Sequence, residues 1–350
     1  MVYIKNHWKV LMNCPVFSIL IPVYNTECYL TRALDSIVNQ SFDLDKVEVI
    51  VVNDGSPNAD LCDKIVTNYS NTLHITYIKK TKNEGLYLAR KTGVENAHGK
   101  YYLNLDADDE HTPEAYETLF NVLKKHKEQD LDYIEFQIYE IGSRKKPYTY
   151  PICDNRNLDI LLQQEIWTSM CYRCFNTDFL KKVYSNMNNF YAVTIEDFYQ
   201  SVICEYYSKS KISIPEFLYN RYLDIGVSSP RHYDDIEIFL KMQISVENVF
   251  HNIYEFFHSK NIYNYDIYLN KFYNKFYIDA LDITSNTMVI DMALDKIDDK
   301  YLHKYLIEQY KNLSHNMTRY RALLPIASRL SKPMKFLSSI KSYFKLHNNF

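Results

Sequence analysis

Residues 17–23 read FSILIPV and residues 47–52 read VEVIVV, two short apolar runs rich in β-branched residues. Tyr24 and Asn25 follow the first, and Asn53, Asp54 and Gly55 follow the second. Runs of this length closed by turn residues predict buried strands. Between them, within residues 27–40, Leu30, Leu34, Ile37 and Val38 recur at helical spacing. Strand, helix, strand at these lengths is a parallel crossover unit. The alternation continues with helices at 59–70 and 86–97 and strands at 74–79 and 101–105. The expected fold class is α/β, a four-stranded, mostly parallel sheet flanked by helices.

Open sheets of this kind bind ligands beyond the carboxyl ends of their strands. Four such ends carry polar residues here: Tyr24 and Asn25, then Asp54, then Thr81 to Asn83, then Asp106 to Asp109. The last is the densest, because LNLDADDE at 103–110 runs an apolar strand into three aspartates. Unpaired carboxylates are not buried cheaply, so the cluster implies a solvated turn or a bound cation. Asp109 and Glu110 also suit a cap for a helix starting at Thr112 and Pro113.

Composition narrows the class. The chain has 350 residues, is 47% hydrophobic and carries seven cysteines. That odd number, without a secretory signal ahead of it, suits reduced thiols in a cytoplasmic protein. Cys171 and Cys174 form a CxxC without a second Cys or His pair at zinc spacing, and read as core thiols. Of the net charge of −3, residues 319–350 contribute seven Lys or Arg and no acid, leaving −10 on the remainder. An acidic body with a basic tail argues against nucleic-acid binding and for one basic contact surface. No apolar run reaches transmembrane length, so any membrane contact is expected to be peripheral.

Glycines stop at Gly226, and residues 235–318 carry helical apolar spacing. Ile236, Phe239, Leu240 and Ile244 form one set, and Val246, Val249, Phe250 and Ile253 the next. The expected organisation is 1–232 as the α/β domain, 233–318 as a helical appendage serving as core or homodimer interface, and 319–350 as a tail.

Five blocks in order, FSILIPVYNTECYLTRALDSIVNQS, VEVIVVNDGSPN, KNEGLYLARKTGVENAHGKYYLNLDADD, VTIEDFYQSV and FLYNRYLDIGVSS, resemble the family 2 glycosyltransferases over residues 17–229. The resemblance implies the GT-A, Rossmann-like fold and a metal-dependent, inverting transfer of sugar. The donor would be a nucleoside diphosphate sugar, and the acceptor a glycan or polyprenyl- or lipid-linked acceptor in bacterial surface-polysaccharide synthesis. Asp106 would face ribose and metal, Asp108 would ligate Mn²⁺ or Mg²⁺, and Asp109 would support them. Asp54 would read the imide N–H of uracil, making UDP the expected nucleotide, or else be a turn aspartate before Gly55. Pro22, Tyr24, Asn25, Glu27 and Asn83 complete the nucleotide side. Arg90 would reach the phosphates or be a solvated helix residue.

Of the pair in VTIEDFYQSV, Asp197 is the expected base and Glu196 its alternate or an acceptor-binding partner, against a pair placed there by the helix dipole. Arg221 and Ser228 would approach the donor phosphates. The family's metal-binding histidine is replaced by Asp224 and Ile225, with His232 a few residues on. Trp167, Tyr172, Arg173 and Tyr191 are acceptor candidates. From Pro333, Phe336, Leu337, Ile340 and Phe344 recur among lysines, which suits either a helix in an anionic membrane surface or one docked on the acidic body. Lacking GxGxxG and a Walker loop, the chain fits neither a dinucleotide enzyme nor a kinase. The alternative is a non-catalytic nucleotide- or glycan-binding relative.

Overall fold

A computed structural model of the chain describes residues 2–5, 15–149, 157–163, 169–223 and 236–273. Ser228, His232, Trp167, the tail at 319–350 and most of the expected helical appendage lie outside these residues.

The strands are β1 (Val2–Lys5), β2 (Phe17–Val23), β3 (Val47–Asn53), β4 (His74–Lys79), β5 (Tyr101–Asn104), β6 (Glu110–His111), β7 (Tyr133–Ile141), β8 (Lys145–Tyr148), β9 (Arg173–Asn176) and β10 (Lys211–Tyr222). The helices are α1 (Leu30–Val38), α2 (Ala59–Tyr69), α3 (Leu86–Asn96), α4 (Ala115–Lys125), α5 (Leu158–Gln163), α6 (Thr177–Ser185), α7 (Glu196–Tyr207) and α8 (Ile236–Ser259). One sheet runs β1-β4-β3-β2-β5-β9-β7-β10-β6, with β8 paired to β7.

The expected parallel layer is the run β4-β3-β2-β5. All seven residues of both β2 and β3 are buried, which is why these strands read as unbroken apolar runs. Pro22 lies inside β2 opposite Val52. It is tolerated because the ladder to β5 has already ended at Leu20 and Asn104, leaving that side open.

Three features extend the expected sheet. β1 adds an antiparallel edge beside β4. β9 pairs antiparallel with β5 and β7, and the long β10 runs parallel to β7. Pro215 of β10 falls where the register shifts between Ser213 and Phe217. At the far side β10 meets β6, whose two residues directly follow the aspartate cluster.

Residues 244–268 belong to the same compact unit as residues 1–229, so a boundary at 232 separates segments that pack together. Within α8, Val246, Val249, Phe250, Ile253 and Phe257 are buried, and Phe250 meets Phe198 of α7 at 5.6 Å between ring centres. Ile244, the last of the preceding apolar set, is 50% exposed. It falls two residues before Val246, which turns it away from the buried face. Cys62, Cys171, Cys174 and Cys204 are buried thiols and Cys28 is exposed.

Candidate active site

The carboxyl end of β5 delivers Asp106, Asp108 and Asp109, and β10 fixes how they stand. Tyr219 Oη accepts from the Asp106 amide at 3.2 Å and donates to Asp109 Oδ2 at 2.7 Å. Asp109 Oδ1 accepts from the Tyr222 amide at 2.7 Å. Both Asp109 oxygens are thereby used on β10, so this residue anchors the loop and does not cap α4. Arg32 of α1 donates to the Asp108 carbonyl at 3.0 Å and lies 4.0 Å from the centre of the Tyr222 ring. Sequence reading missed Arg32, Tyr219 and Tyr222, because their partners lie 76 and more positions away.

Asp106 and Asp108 are half-buried, and Asp106 Oδ1 is met by Arg90. Burial, and then the charge of Asp106, pushes Asp108 up to about 6. Like charges one residue apart are what a divalent cation relieves, and hard carboxylate oxygens suit Mg²⁺ or Mn²⁺. Among the described residues no three His, Cys, Asp or Glu side chains stand together as a preformed metal cluster. Two carboxylates with the rest of the shell drawn from diphosphate oxygens and water is a normal arrangement for Mg²⁺.

Arg90, on the inner face of α3, is 2% exposed, which removes the solvated-helix reading. It donates through Nη1 to Glu196 Oε1 at 2.5 Å and through Nη2 to Asp106 Oδ1 at 3.2 Å. Burial opposes its charge, but the neighbouring acids, Asp106 first and then Glu196, outweigh that and raise its pKa. One guanidinium thus ties the aspartate turn to the start of α7.

Glu196 is buried and committed to Arg90. Asp197 is half-buried and, among the described residues, forms no ion pair. Burial, then Glu196, raises it well above the carboxylate range. The residue before them, Ile195, has φ 49°. A β-branched side chain in the left-handed region is strained and persists only where its surroundings hold it.

The nucleotide side is assembled at the ends of β2, β3 and β4. Asp54 is buried, with Oδ2 accepting from the amides of Glu84 and Gly85 at 3.1 and 2.8 Å. Its Oδ1 lies 3.0 Å from Lys80 Nζ, which also reaches Glu84 at 3.1 Å. Burial raises Asp54 while Lys80 pulls it back down. This is more than a turn aspartate, and Lys80 is its unforeseen partner. Gly55 has φ +75°, and a Cβ there would lie 2.4 Å from the Lys82 carbonyl carbon and 2.6 Å from the Asn83 amide nitrogen. Only glycine lets these two turns touch.

Tyr24 is half-buried and Asn25 exposed with φ 55°, its amide donating to Ser56 Oγ at 3.3 Å. Asn83 is half-buried. Glu27 is buried, and among the described residues its Oε1 has no hydrogen-bond partner. Pro22 is buried in the sheet, so Tyr24 and Asn25 are the members of that motif which reach the surface. Arg221, 43% exposed at its side chain, pairs with Glu140 at 3.3 Å and donates to Tyr172 Oη at 3.4 Å. Arg173 is no acceptor contact. It is fully buried, bound to Glu135 at 2.9 Å and to Ser201 at 3.1 Å.

Comparison with known proteins bears on the family and the fold. Residues 18–187 match the Glycosyl transferase family 2 model. The chain is 32% identical over 172 residues to the minor teichoic acid biosynthesis protein GgaB of Bacillus subtilis, covering 48% of this chain and 19% of that protein. It is 38% identical over 111 residues to the glycosyltransferase GlyA of Streptococcus pneumoniae, covering 31% and 15%. These matches span under a fifth of either relative. The fold is that of residues 1–349 of S. aureus TarS, crystallised with UDP-GlcNAc, at a TM-score of 0.50 and 20% identity, covering 79% of this chain and 83% of that one.

Proposed function

Residues 18–187 match the Glycosyl transferase family 2 model, and on that premise we propose that this chain is a member of the family and transfers a sugar from a UDP-sugar to a bacterial surface-glycan acceptor, with inversion at the anomeric carbon. The observation that carries this reading is the Arg90 bridge from Asp106 to Glu196. It brings the end of β5 and the start of α7, ninety residues apart in sequence, to one point. A donor-binding turn and a proton acceptor are the two parts an inverting transfer needs.

In the reaction, the acceptor hydroxyl gives its proton to the Asp197 carboxylate as its oxygen bonds to the anomeric carbon. The bond from that carbon to the diphosphate breaks, and its electron pair leaves with UDP. Asp197 is preferred to Glu196 as base because Glu196 is held by Arg90. A raised pKa keeps the base close to its working pH. Asp106 and Asp108 would hold a divalent cation, which when bound supplies charge stabilisation to the departing diphosphate. Arg221, exposed at the edge of β10, adds a second positive charge on that side. Asp54, paired with Lys80, accepts the imide N–H of uracil, with Tyr24 beneath the ring.

The name of GgaB supports an acceptor of the teichoic-acid or related surface-polymer class, glycan or lipid-linked. No helix among the described residues is long and apolar enough to cross a membrane. The basic residues 319–350 would then serve as a peripheral contact with the anionic inner face of the cytoplasmic membrane.

The test is UDP release from a panel of nucleotide sugars with Mn²⁺ and with EDTA. Metal-dependent release of UDP, abolished in Asp108→Ala and Asp197→Ala, is expected. Turnover in EDTA, or activity surviving both substitutions, overturns the mechanism.

A further inference from the structure

The segment between α6 and α7 lies beyond the family-matched residues, yet it touches both halves of the site. Its middle residue, Ala192, accepts from the Tyr87 amide at 3.3 Å. The same residue packs so tightly on Gly85 that a Cβ there would lie 2.6 Å from the Ala192 carbonyl oxygen. Gly85 in turn donates its amide to Asp54. The half-buried Tyr191 is therefore brought to the Asp54 end of the sheet, where burial, and then its neighbours Tyr24 and Asp54, raise its pKa. Three residues after Ala192 comes the strained Ile195, and directly after that Glu196 and Asp197.

Two bonds from α8 hold this segment from behind. Asn248 Nδ2 donates to the Tyr191 carbonyl at 2.8 Å. Ser245 Oγ, fully buried, accepts from the Val193 amide at 3.0 Å. Asn252 donates to the Asn248 carbonyl at 2.8 Å and braces the helix at that turn. A left-handed isoleucine survives only where its neighbours over-determine it. Pins at 191 and 193, with Phe250 packed on Phe198 just after the strained residue, supply that.

We propose that Ser245 and Asn248 are positioning residues of the transfer site, fixing residues 191–195 so that Tyr191 walls the nucleobase pocket across from Tyr24 and Asp197 is presented to the acceptor. The base-pocket part of this rests on the donor reading above; the clamp itself does not. Neither residue touches substrate. They act through the segment they hold.

The experiment compares Asn248→Ala and Ser245→Ala with Ser245→Thr, which keeps the hydroxyl, and with His251→Ala, an exposed change on the same helix. Three readouts are taken on the full chain: UDP affinity by calorimetry, kcat and KM for the donor, and amide hydrogen exchange over 191–198. The two alanine variants are expected to bind UDP roughly two- to tenfold more weakly, the worth of one hydrogen bond. They should also lower kcat and lose exchange protection from Val193 through Phe198. Ser245→Thr and His251→Ala should match the parent chain. Unchanged UDP affinity and kcat, or lost protection confined to α8, overturns the proposal. If the parent chain binds no UDP, the donor reading fails, and the exchange data over 191–198 alone decide whether the clamp exists.

Discussion

Arg90 and Glu196, 106 positions apart in sequence, form a buried ion pair at 2.5 Å, and the same guanidinium reaches Asp106 at 3.2 Å. Removing one partner of a buried pair leaves an uncompensated charge, which costs about 3–5 kcal/mol. Arg90→Ala is therefore expected to lose that order of stability in chemical denaturation. Arg90→Lys keeps the charge but not the fork, and a point charge cannot serve Glu196 and Asp106 in the same geometry. It should fold with a smaller loss and lower kcat by about a hundredfold, the typical consequence of misplacing catalytic groups by about an ångström. Full activity in Arg90→Lys would show that the bridge does not position the site.

The site's carboxylates predict two pH effects of opposite sign. Burial, then Glu196, pushes Asp197 up to about 7, and burial, then Asp106, pushes Asp108 up to about 6. A base works only when ionised, so kcat should rise with pH and level off above about 7. Stability goes the other way. Both groups hold protons more tightly folded than unfolded, where a carboxylate titrates near ~4, so the folded state loses stability as pH rises from there to about 7. Thermal melts in EDTA should fall between pH 5 and 7.5, and Mn²⁺ with UDP should restore them at the upper end. A melting temperature in EDTA that climbs across this range would contradict the assigned environment.

How much of this was legible in the sequence follows from what each strand buries. β2 and β3 are buried along their whole length and read as continuous apolar runs, so the parallel layer and its polar ends were visible. β7 is as central but carries Glu135 and Gln137 into the interior, because Arg173 of the neighbouring β9 meets Glu135 there. A buried ion network breaks the apolar pattern from which strands are read. Arg90 was legible as a site candidate but its burial was not: its residue type suits solvent, while its partners arrive from elsewhere along the chain. The aspartate turn was legible as chemistry. Its division of labour, with Asp109 spent on Tyr219 and Tyr222, needed β10 in place.

Lys80 controls the protonation of Asp54. The two are buried together at 3.0 Å, and without the ammonium the burial of Asp54 has nothing but two amides against it. Lys80→Met should therefore raise Asp54 further and shift it toward its protonated form. A neutral carboxyl donates where the carboxylate accepted, so it can no longer take the imide N–H of uracil but can give a proton to N3 of cytosine. UDP affinity should fall about tenfold, and discrimination against CDP should shrink or reverse. Calorimetric competition between UDP and CDP measures this directly; unchanged preference would mean that Asp54 does not read the base.

Gly55 tests whether the nucleotide side depends on backbone contact between two turns. Its φ of +75° is accessible to glycine, and an added methyl would lie 2.4 Å from the Lys82 carbonyl carbon, an atom of the main chain that cannot swing aside. Gly55→Ala must then push the 81–84 turn away from Asp54, lengthening the bond from the Glu84 amide that now stands at 3.1 Å. Strain of this kind costs about 1–3 kcal/mol. The loss should appear both as a lower melting temperature and as a weaker UDP complex. Because Asp106 is held through Tyr219 and Arg90, and residues 191–193 ahead of Asp197 are held by Ser245 and Asn248, kcat at saturating donor should change less than KM. A matched fall in kcat would instead show that the two ends of the site move as one body.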